Sequence, residues 1–527
     1  MDSPGFPSTA DPQEISPTHF RRWLTVIVLL NLLTRLPFLG SVTLWNIDEG
    51  RIAEVSREMA VTGDYVVPRI GGVPFASYPP LLYWLDAMSG SLFGFNEFAM
   101  RLPGALAGAT LVLVVALMAR RLAGGLAGLL SAAVLATLPG FTSQQVICRG
   151  DVMMTLFSTI AFDRFLAFIE GDRRTRHLVV MYGALALAIL TKGPLGAILP
   201  GLGVAVWMIV RRRWRDLLSL KPWIGIPAMF ALVIPWYVAV HRAAGWEFTR
   251  YNLMLENVNA FTSGFEHPRP VWSILAWATY RLVPWFIVLP FAWRVRRTPG
   301  FLLALGWTAA ILALLTISSS KRPNYITYLC PAFAMSIGIA LSALCREAPA
   351  LAGRFVTLMG GILAAFGLGG WVVPIKWKGA FLAIKELLRP AFQGMVVSGA
   401  SIVIANSRKG PVAGISVLVA VLAAGVALQS AFIEPRLDDE GRNGVAFCRQ
   451  INLLLSQGEP IYNPSRRELD GAFHFYLGRI MTHRSEGPGY YLGLEEDAAR
   501  FPPGKTFGVH ALVDDRGRRR SLFHVSP

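Results

Sequence analysis

Runs of about twenty apolar residues recur along most of this chain, for example at 355–373 and 412–432. That is the length a helix needs to cross a hydrocarbon core of about 30 Å. Of the 527 residues, 54% are hydrophobic and only 16% charged, where ordinary soluble domains carry about 25%. Folded in water, most of these segments would have no polar face to present. The runs therefore dictate an all-α polytopic membrane protein of about thirteen transmembrane helices. Spans are expected near 23–40, 99–119, 122–140, 152–169, 178–191, 194–210, 222–240, 271–293, 300–317, 325–344, 355–373, 381–404 and 411–431.

The net charge of +17 would suggest a nucleic-acid partner in a soluble protein. Here it sorts by side of the membrane. With segment 1–22 cytoplasmic, the inside loops carry Arg120-Arg121, Arg173-Arg174-Arg176, Arg211-Arg212-Arg213-Arg215, Arg294-Arg296-Arg297, Arg346 with Arg354, and Arg408-Lys409. Of the basic clusters between helices, only Lys321-Arg322 and the pair Lys376 and Lys378 fall outside, so much of the charge is positive-inside bias and no nucleic acid is needed. Segment 81–95 is apolar but short and holds Asp86. Were it to cross, every later basic cluster would flip outside, so it is expected to lie in the interface. Arg21-Arg22 precede the first run with no cleavage site, which reads as a retained helix.

Three parts follow: the cytoplasmic segment 1–22, a transmembrane domain over 23–433 with an outer loop at 41–98, and a tail over 434–527. An odd number of spans puts the tail outside. It is charged, with strand-like patches at 460–463, 472–477 and 506–513, a hairpin-like turn at Asp514-Asp515-Arg516-Gly517 and a helical stretch at 446–455. A small extracytoplasmic α/β domain is expected there. The four cysteines are too scattered for a disulfide framework or a zinc motif. Cys148 and Cys448 both fall outside, where a bridge between them is open.

Against a background of uncharged spans, ionisable groups at the membrane edge stand out. Asp48 and Glu49 follow the first helix. A carboxylate there could activate an acceptor or stabilise positive charge at a sugar carbon, or Asp48 could simply cap the next helix, whose stripe is Ile52, Val55 and Met59. Tyr78-Pro79-Pro80 enters the interfacial segment, as a rigid turn or more. Asp151 could pair with Arg149 or start its helix. Lys192 stands at a Gly-Pro break, suited to a lipid phosphate or to snorkelling. Ser318-Ser319-Ser320-Lys321-Arg322 with Tyr325 places two cations where charge bias disfavours them, and phosphate accepts charge-assisted hydrogen bonds from such groups. No Walker loop, dinucleotide fingerprint or HExxH occurs.

The order Asp48-Glu49, Glu54 with Arg57-Glu58-Met59, Pro79-Pro80-Leu81-Leu82-Tyr83-Trp84, Asn96-Glu97-Phe98 with Arg101, Arg149-Gly150-Asp151, Thr191-Lys192-Gly193-Pro194 and Ser320-Lys321-Arg322-Pro323-Asn324-Tyr325 resembles the GT-C glycosyltransferases. The likeness covers about 25–345 and is to the branch of the lipid A aminoarabinose transferases and related protein mannosyltransferase-like enzymes. It implies an inner-membrane glycosyltransferase with an extracytoplasmic active site. The donor would be a polyprenyl-phosphate-linked sugar, and the acceptor lipid A, another envelope glycan or a protein. It also implies an essential Asp48 with Glu49 beside it, a carrier phosphate held by Lys192, Lys321, Arg322 and Tyr325, and further site candidates in Arg57, Tyr78, Asp151 and His267. Where the aminoarabinose transferases read Glu-Lys-Pro-Pro, this chain reads Ser77-Tyr78-Pro79-Pro80, so an expected phosphate ligand and a metal ligand are replaced. His267 alone makes no metal site, and no ligand set for a divalent metal is evident. A transporter or flippase of lipid-linked sugars is the competing class. It should show paired broken helices and repeat symmetry, which the sequence does not display.

Overall fold

Side-chain caps set the first helices. Ser16 accepts from the His19 amide at 3.3 Å and opens α1 (Pro17–Leu33). Asn46 accepts from the Asp48 amide at 3.1 Å and opens α2 (Ile47–Thr62), and Gly63, at φ 75°, closes it. The cap expected of Asp48 is thus made by Asn46, which leaves the Asp48 carboxylate to other partners. A two-stranded hairpin of β1 (Arg69–Ile70) and β2 (Val73–Pro74) leads to α3 (Leu81–Phe93). At 13 residues, α3 is about 20 Å long and too short to cross. Asp86 is buried on its inner side, accepting from the Cys148 thiol at 3.3 Å.

The computed structural model describes residues 15–263, 268–372, 381–456, 459–464, 471–484, 486–494, 506–513 and 519–525. The bundle continues through α4 (Glu97–Ala123), α5 (Gly125–Thr137), α6 (Pro139–Gln145), α7 (Gly150–Ala167), α8 (Thr175–Lys192), α9 (Leu195–Arg211) and α10 (Pro222–Arg250). After the short α11 (Ala260–Thr262) come α12 (Ser273–Arg281), α13 (Leu289–Ala292), α14 (Phe301–Ile317), α15 (Cys330–Glu347), α16 (Pro349–Val372), α17 (Phe381–Lys409) and α18 (Pro411–Leu428). Each expected span is occupied by a helix or a broken helix. Among the described residues, seven helices are long and apolar enough to cross a membrane, or nine if each of two bent pairs is one span.

Neither bend is expected from the sequence: the spans near 122–140 and 271–293 read as unbroken, and most of α6 lies beyond the first. Pro139 starts α6 at 63° to α5, and Pro284 separates α12 from the segment Trp285–Val295, which turns by 92°. The two breaks pack on each other: the Trp285 indole donates to Thr137 Oγ1 at 3.1 Å, and Arg281 donates to Ser143 Oγ at 3.2 Å.

Beyond α18 lie α19 (Asp439–Leu454) and α20 (Gly471–Leu477) and a four-stranded sheet of β3 (Ile461–Tyr462), β4 (Gly489–Leu494), β5 (Thr506–Val513) and β6 (Arg519–Val525). The strand order is β3-β4-β6-β5, with only β3–β4 parallel. Residues 472–477, expected as strand, form α20. Nearly every side chain there is buried, and a short run buried all round carries no period to tell helix from strand. The turn expected at Asp514-Asp515-Arg516-Gly517 lies outside the described residues. All four cysteines are free. Cys148 is buried beside Asp86, while Cys448 packs with Phe447, Ile451 and Phe473, so the bridge left open between them does not form.

α20 lies directly against α2, where Trp45 meets Phe473 edge-on at 5.0 Å between centroids. A Cβ on Gly471 would lie 2.6 Å from Arg51 Cα, and one on Gly50 would lie 2.7 Å from the Ala472 amide nitrogen. Backbone cannot yield there as a side-chain tip can. Gly471→Ala is expected to cost about 1–3 kcal/mol and to loosen the tail from α2. A lowered thermal midpoint with faster proteolysis of the tail is the expected result, and an unchanged midpoint would show the contact to be slack.

Candidate active site

The α2 N-terminus, the segment before α3, the α7 and α8 ends and the Ser320–Tyr325 stretch converge on one cavity. Its lining includes Asp48, Arg51, Tyr78, Lys192, Arg322 and Tyr325, with Ser77, Glu256, Asn257 and Tyr328. Asp48, about a quarter exposed, is held between two guanidiniums: it pairs closely with Arg149 and accepts from Arg322 at 3.2 Å. Two cations on one carboxylate, beside open space, leave positive charge to spare for an anionic ligand.

Asp151 takes the partners expected of neither reading. It sits in the first turn of α7, 1% exposed, and accepts from Lys192 at 2.6 Å, from Asn324 at 3.1 Å and from the Tyr328 hydroxyl. Arg149, next but one in sequence, goes to Asp48 instead. Lys192 ends α8 because Gly193, at φ 83°, turns the chain away. Its ammonium lies 5.2 Å from the Tyr78 ring centre and 6.0 Å from that of Tyr325. Burial, with Asp151 and Asp48 close by, raises the Tyr78 hydroxyl well above its ordinary range, so it remains a neutral donor.

The second outer loop reaches into the same cavity. Asn252 donates to the Ala76 carbonyl at 2.9 Å, and Asn257 to the Asn252 carbonyl at 2.7 Å. Glu256 thereby meets Ser77, whose hydroxyl donates to it at 3.3 Å. At the two positions that depart from Glu-Lys, Ser77 is thus met by a carboxylate and Tyr78 by the Lys192 ammonium.

The remaining predicted residues lie elsewhere. Glu49 is buried in a two-pronged pair with Arg101, at 2.9 and 3.1 Å, and accepts from the Cys148 amide at 2.8 Å. Arg101 also donates to the carbonyls of Leu39, Val42 and Thr43. Arg57 pairs with Glu54 at 2.7 Å and donates to the Gly478 carbonyl at 3.3 Å, which ties α2 to the tail. Lys321 is buried outside the cavity lining and donates to the carbonyls of Ser318 and Arg269. His267 lies outside the described residues. Among the described residues, no three His, Cys, Asp or Glu side chains are grouped to hold a metal.

Sequence reasoning passed over Arg51, Ser77, Glu256, Asn257, Asn324 and Tyr328. Helical spacing from Asp48 pointed to Arg51, and Asn324 and Tyr328 flank Tyr325. Nothing local marks Glu256, which stands in a segment of mixed character among Leu253, Met254, Leu255 and Val258.

A helical bundle of apolar spans, with a carboxylate, guanidiniums, an ammonium and tyrosines gathered at one end, has the form of a GT-C membrane glycosyltransferase. Residues 77–238 match the family model described as dolichyl-phosphate-mannose-protein mannosyltransferase. The undecaprenyl phosphate-alpha-4-amino-4-deoxy-L-arabinose arabinosyl transferase of Edwardsiella ictaluri is 31% identical over 66% of this chain and 64% of its own length. The enzyme of the same name from Pseudomonas aeruginosa strain UCBPP-PA14 is 31% identical over 70% and 67%. The chain thus spans about two thirds of each relative. The chain belongs to this arabinosyl transferase family. In fold it matches ArnT from Cupriavidus metallidurans, solved bound to undecaprenyl phosphate, with a TM-score of 0.81 at 24% identity over 95% of this chain and 98% of that one. An Archaeoglobus fulgidus oligosaccharyltransferase shares the fold more distantly, with a TM-score of 0.55 at 14% identity over 89% and 64%.

The geometry separates Asp48 from Glu49. Removing one partner of a buried pair strands the other charge, at a cost of about 3–5 kcal/mol. Glu49→Gln is therefore expected to lower the thermal midpoint in detergent sharply, while Asp48→Asn leaves it nearly unchanged. Equal midpoints for the two variants would contradict this division.

Proposed function

We propose that this protein transfers a sugar from a polyprenyl-phosphate-linked donor, such as a sugar carried on undecaprenyl phosphate, to lipid A, another envelope glycan or a protein outside the cytoplasm. The observation that carries the reading is Asp48 clasped by Arg149 and Arg322 in a cavity that Lys192, Tyr78 and Tyr325 also line. Arg322, Lys192 and Arg51 bind the carrier phosphate by charge-assisted hydrogen bonds, with tyrosine hydroxyls as neutral donors. The linkage from sugar carbon to phosphate then lies beside Asp48. The carboxylate takes the proton of a hydroxyl acceptor, or stabilises the sugar cation where the acceptor is already an anion. Asp151 holds Lys192 in place, and Glu49 and Arg57 support α2. Lys321 supports the loop that presents Arg322.

The protein sits in the inner membrane with thirteen spans. The cavity, loop 41–98 and an α/β domain over 434–527 are on the extracytoplasmic side, as the distribution of arginines supports. An apolar cluster of Phe447, Ile451, Leu477, Leu492 and Leu522 supports a tail domain, which α20 joins to the bundle through Phe475. A flippase would share the two broken helices but would move its donor intact, so release of free polyprenyl phosphate distinguishes the classes.

Sidedness is tested at two exposed positions, Val73 at 62% and Leu453 at 82%. Each changed to Cys should react with an impermeant maleimide in intact spheroplasts. Reaction only after lysis at either site would overturn the topology.

Asp48→Asn keeps the shape, and Asn46 keeps the helix cap. Sugar transfer is expected to fall about a hundredfold or more, with binding of undecaprenyl phosphate retained. Turnover near wild type would remove Asp48 from the chemistry.

A further inference from the structure

An apolar cavity lies between α7, α8, α9 and α10, away from Asp48. Its volume is about 450 Å³, and its walls include Phe162, Phe165, Tyr182, Gly201, Val204 and Phe230. That falls within the range of small-molecule sites, about 300–1,000 Å³. Lys192, which lines the first cavity, ends α8, and Tyr182 is about 15 Å back along that helix.

The Tyr182 ring forms one wall. A Cβ on Gly225 would lie 1.8 Å from a carbon of that ring, so α10 packs flush against it. The Tyr182 hydroxyl donates to the Leu220 carbonyl at 3.0 Å, which fixes the turn into α10. On the α9 side, a Cβ on Gly201 would meet nothing within 4 Å, so that wall stands open.

The turns that close these helices are basic. Segments 170–176 and 211–221 hold eight arginines and lysines against three acidic residues. The acids are taken: Glu170 pairs with Arg211, Asp172 with Arg174 and Arg176, and Asp216 with Arg173 and Arg213. Among the described residues, Arg212, Arg215 and Lys221 have no carboxylate partner. Lys221 stands between Leu220 and Pro222, both of which line the cavity, and Arg212 closes α9 about 12 Å beyond Val204.

Both cations hold left-handed backbone, Lys221 at φ 51° and Arg212 at φ 53°. Among the described residues, Arg173 at φ 50° is the third non-glycine residue to do so, in the turn before α8. Glycine or asparagine would meet such positions with less strain. Strain of this kind gathers where side chains are used. Trp214 and Trp223, 56% and 61% exposed, stand on either side of Lys221 in sequence and set the rim at the level of lipid headgroups. Charge bias between leaflets accounts for basic turns, but not for a cavity beneath them.

We propose that this cavity seats an acyl chain of an anionic phospholipid from the bilayer, whose phosphate is held by Lys221 and Arg212. Basic pockets between transmembrane helices take such headgroups, and the apolar walls take the chain. The lipid joins α8, α9 and α10, the helices that lead to Lys192, Leu195 and Glu256 of the first cavity. The inference does not depend on sugar transfer.

The test adds phosphatidylglycerol or phosphatidylcholine to the delipidated full-length protein and reads bound lipid by native mass spectrometry, with the thermal midpoint alongside. Wild type should hold phosphatidylglycerol at least tenfold more tightly than phosphatidylcholine, and its midpoint should rise with the bound lipid. Lys221→Gln with Arg212→Gln should weaken phosphatidylglycerol about tenfold, the effect of two basic residues at a lipid phosphate. Gly201→Leu fills the cavity, leaves every cation in place and suits a helix better than glycine. It should weaken phosphatidylglycerol several-fold, and undecaprenyl phosphate should bind all three proteins within twofold. Equal binding of the two phospholipids by wild type would mark annular lipid only and overturn the proposal. Unchanged phosphatidylglycerol binding in either variant would overturn it too, by reducing the rim to charge bias or the cavity to a void. So would displacement of phosphatidylglycerol by undecaprenyl phosphate, or a parallel loss of undecaprenyl phosphate binding, which would give the cavity to the carrier's own chain.

Discussion

The ion pair of Glu49 with Arg101 orders the end of the bundle on which the chemistry depends. It joins α2 to α4, and the spare donors of Arg101 fix the carbonyls of Leu39, Val42 and Thr43, which carry the chain from α1 to α2. The same carboxylate accepts from the Cys148 amide, so the segment leading into α7 is drawn to the same point. A buried pair is seldom a net source of stability, since desolvation offsets most of the attraction. Its contribution is specificity. With every hydrogen-bonding position of Arg101 used, α2 has one register in which both charges are satisfied. Asp48 is then set against Arg149 and Arg322.

How much of this was legible in the sequence follows from how local each signal is. The helices could be read because apolar runs carry their own length. The breaks at Pro139 and Pro284 could not, because whether a proline bends a span or ends it depends on what fills the gap, here Trp285 against Thr137. Asp48, Asp151, Lys192 and Arg322 stood out because they are ionisable residues in an uncharged neighbourhood. Their pairing did not. Adjacency suggests Asp151 with Arg149, but Arg149 is the extended residue before α7 and Asp151 is in its first turn, so their side chains diverge. Lys321 and Arg322, also adjacent, part in the same way, one toward backbone carbonyls and one into the cavity.

The charges of the first cavity form a chain of exchangeable contacts in a place of low dielectric, where each is stronger than in water. At rest the cations are satisfied by protein carboxylates, Arg322 by Asp48 and Lys192 by Asp151. In the proposed reaction an arriving phosphate competes with Asp48 for Arg322. As the guanidinium turns to the phosphate, Asp48 is left facing the acceptor hydroxyl or the sugar cation. Asp151 cannot respond alike, since Tyr328 and Asn324 hold it whether or not Lys192 is shared. Carrier binding would thus prepare one carboxylate while the other keeps the ammonium in position.

Helix geometry explains how one short segment serves two cavities. Successive side chains of a helix turn by about 100°, so positions three or four apart share a face and adjacent ones do not. Asn46 and Glu49, three apart, face a second cavity that Arg281 also lines. Asp48, Arg51 and Ile52, spaced three and four from the first, face the cavity of Lys192 and Arg322. A slip of one residue in the start of α2 would carry Glu49 into the place of Asp48 and leave Arg101 unpaired. The Asn46 cap and the Arg101 pair both oppose that slip. Two neighbouring carboxylates can therefore differ, one buried in an ion pair and one lining an open cavity, through their angular positions alone.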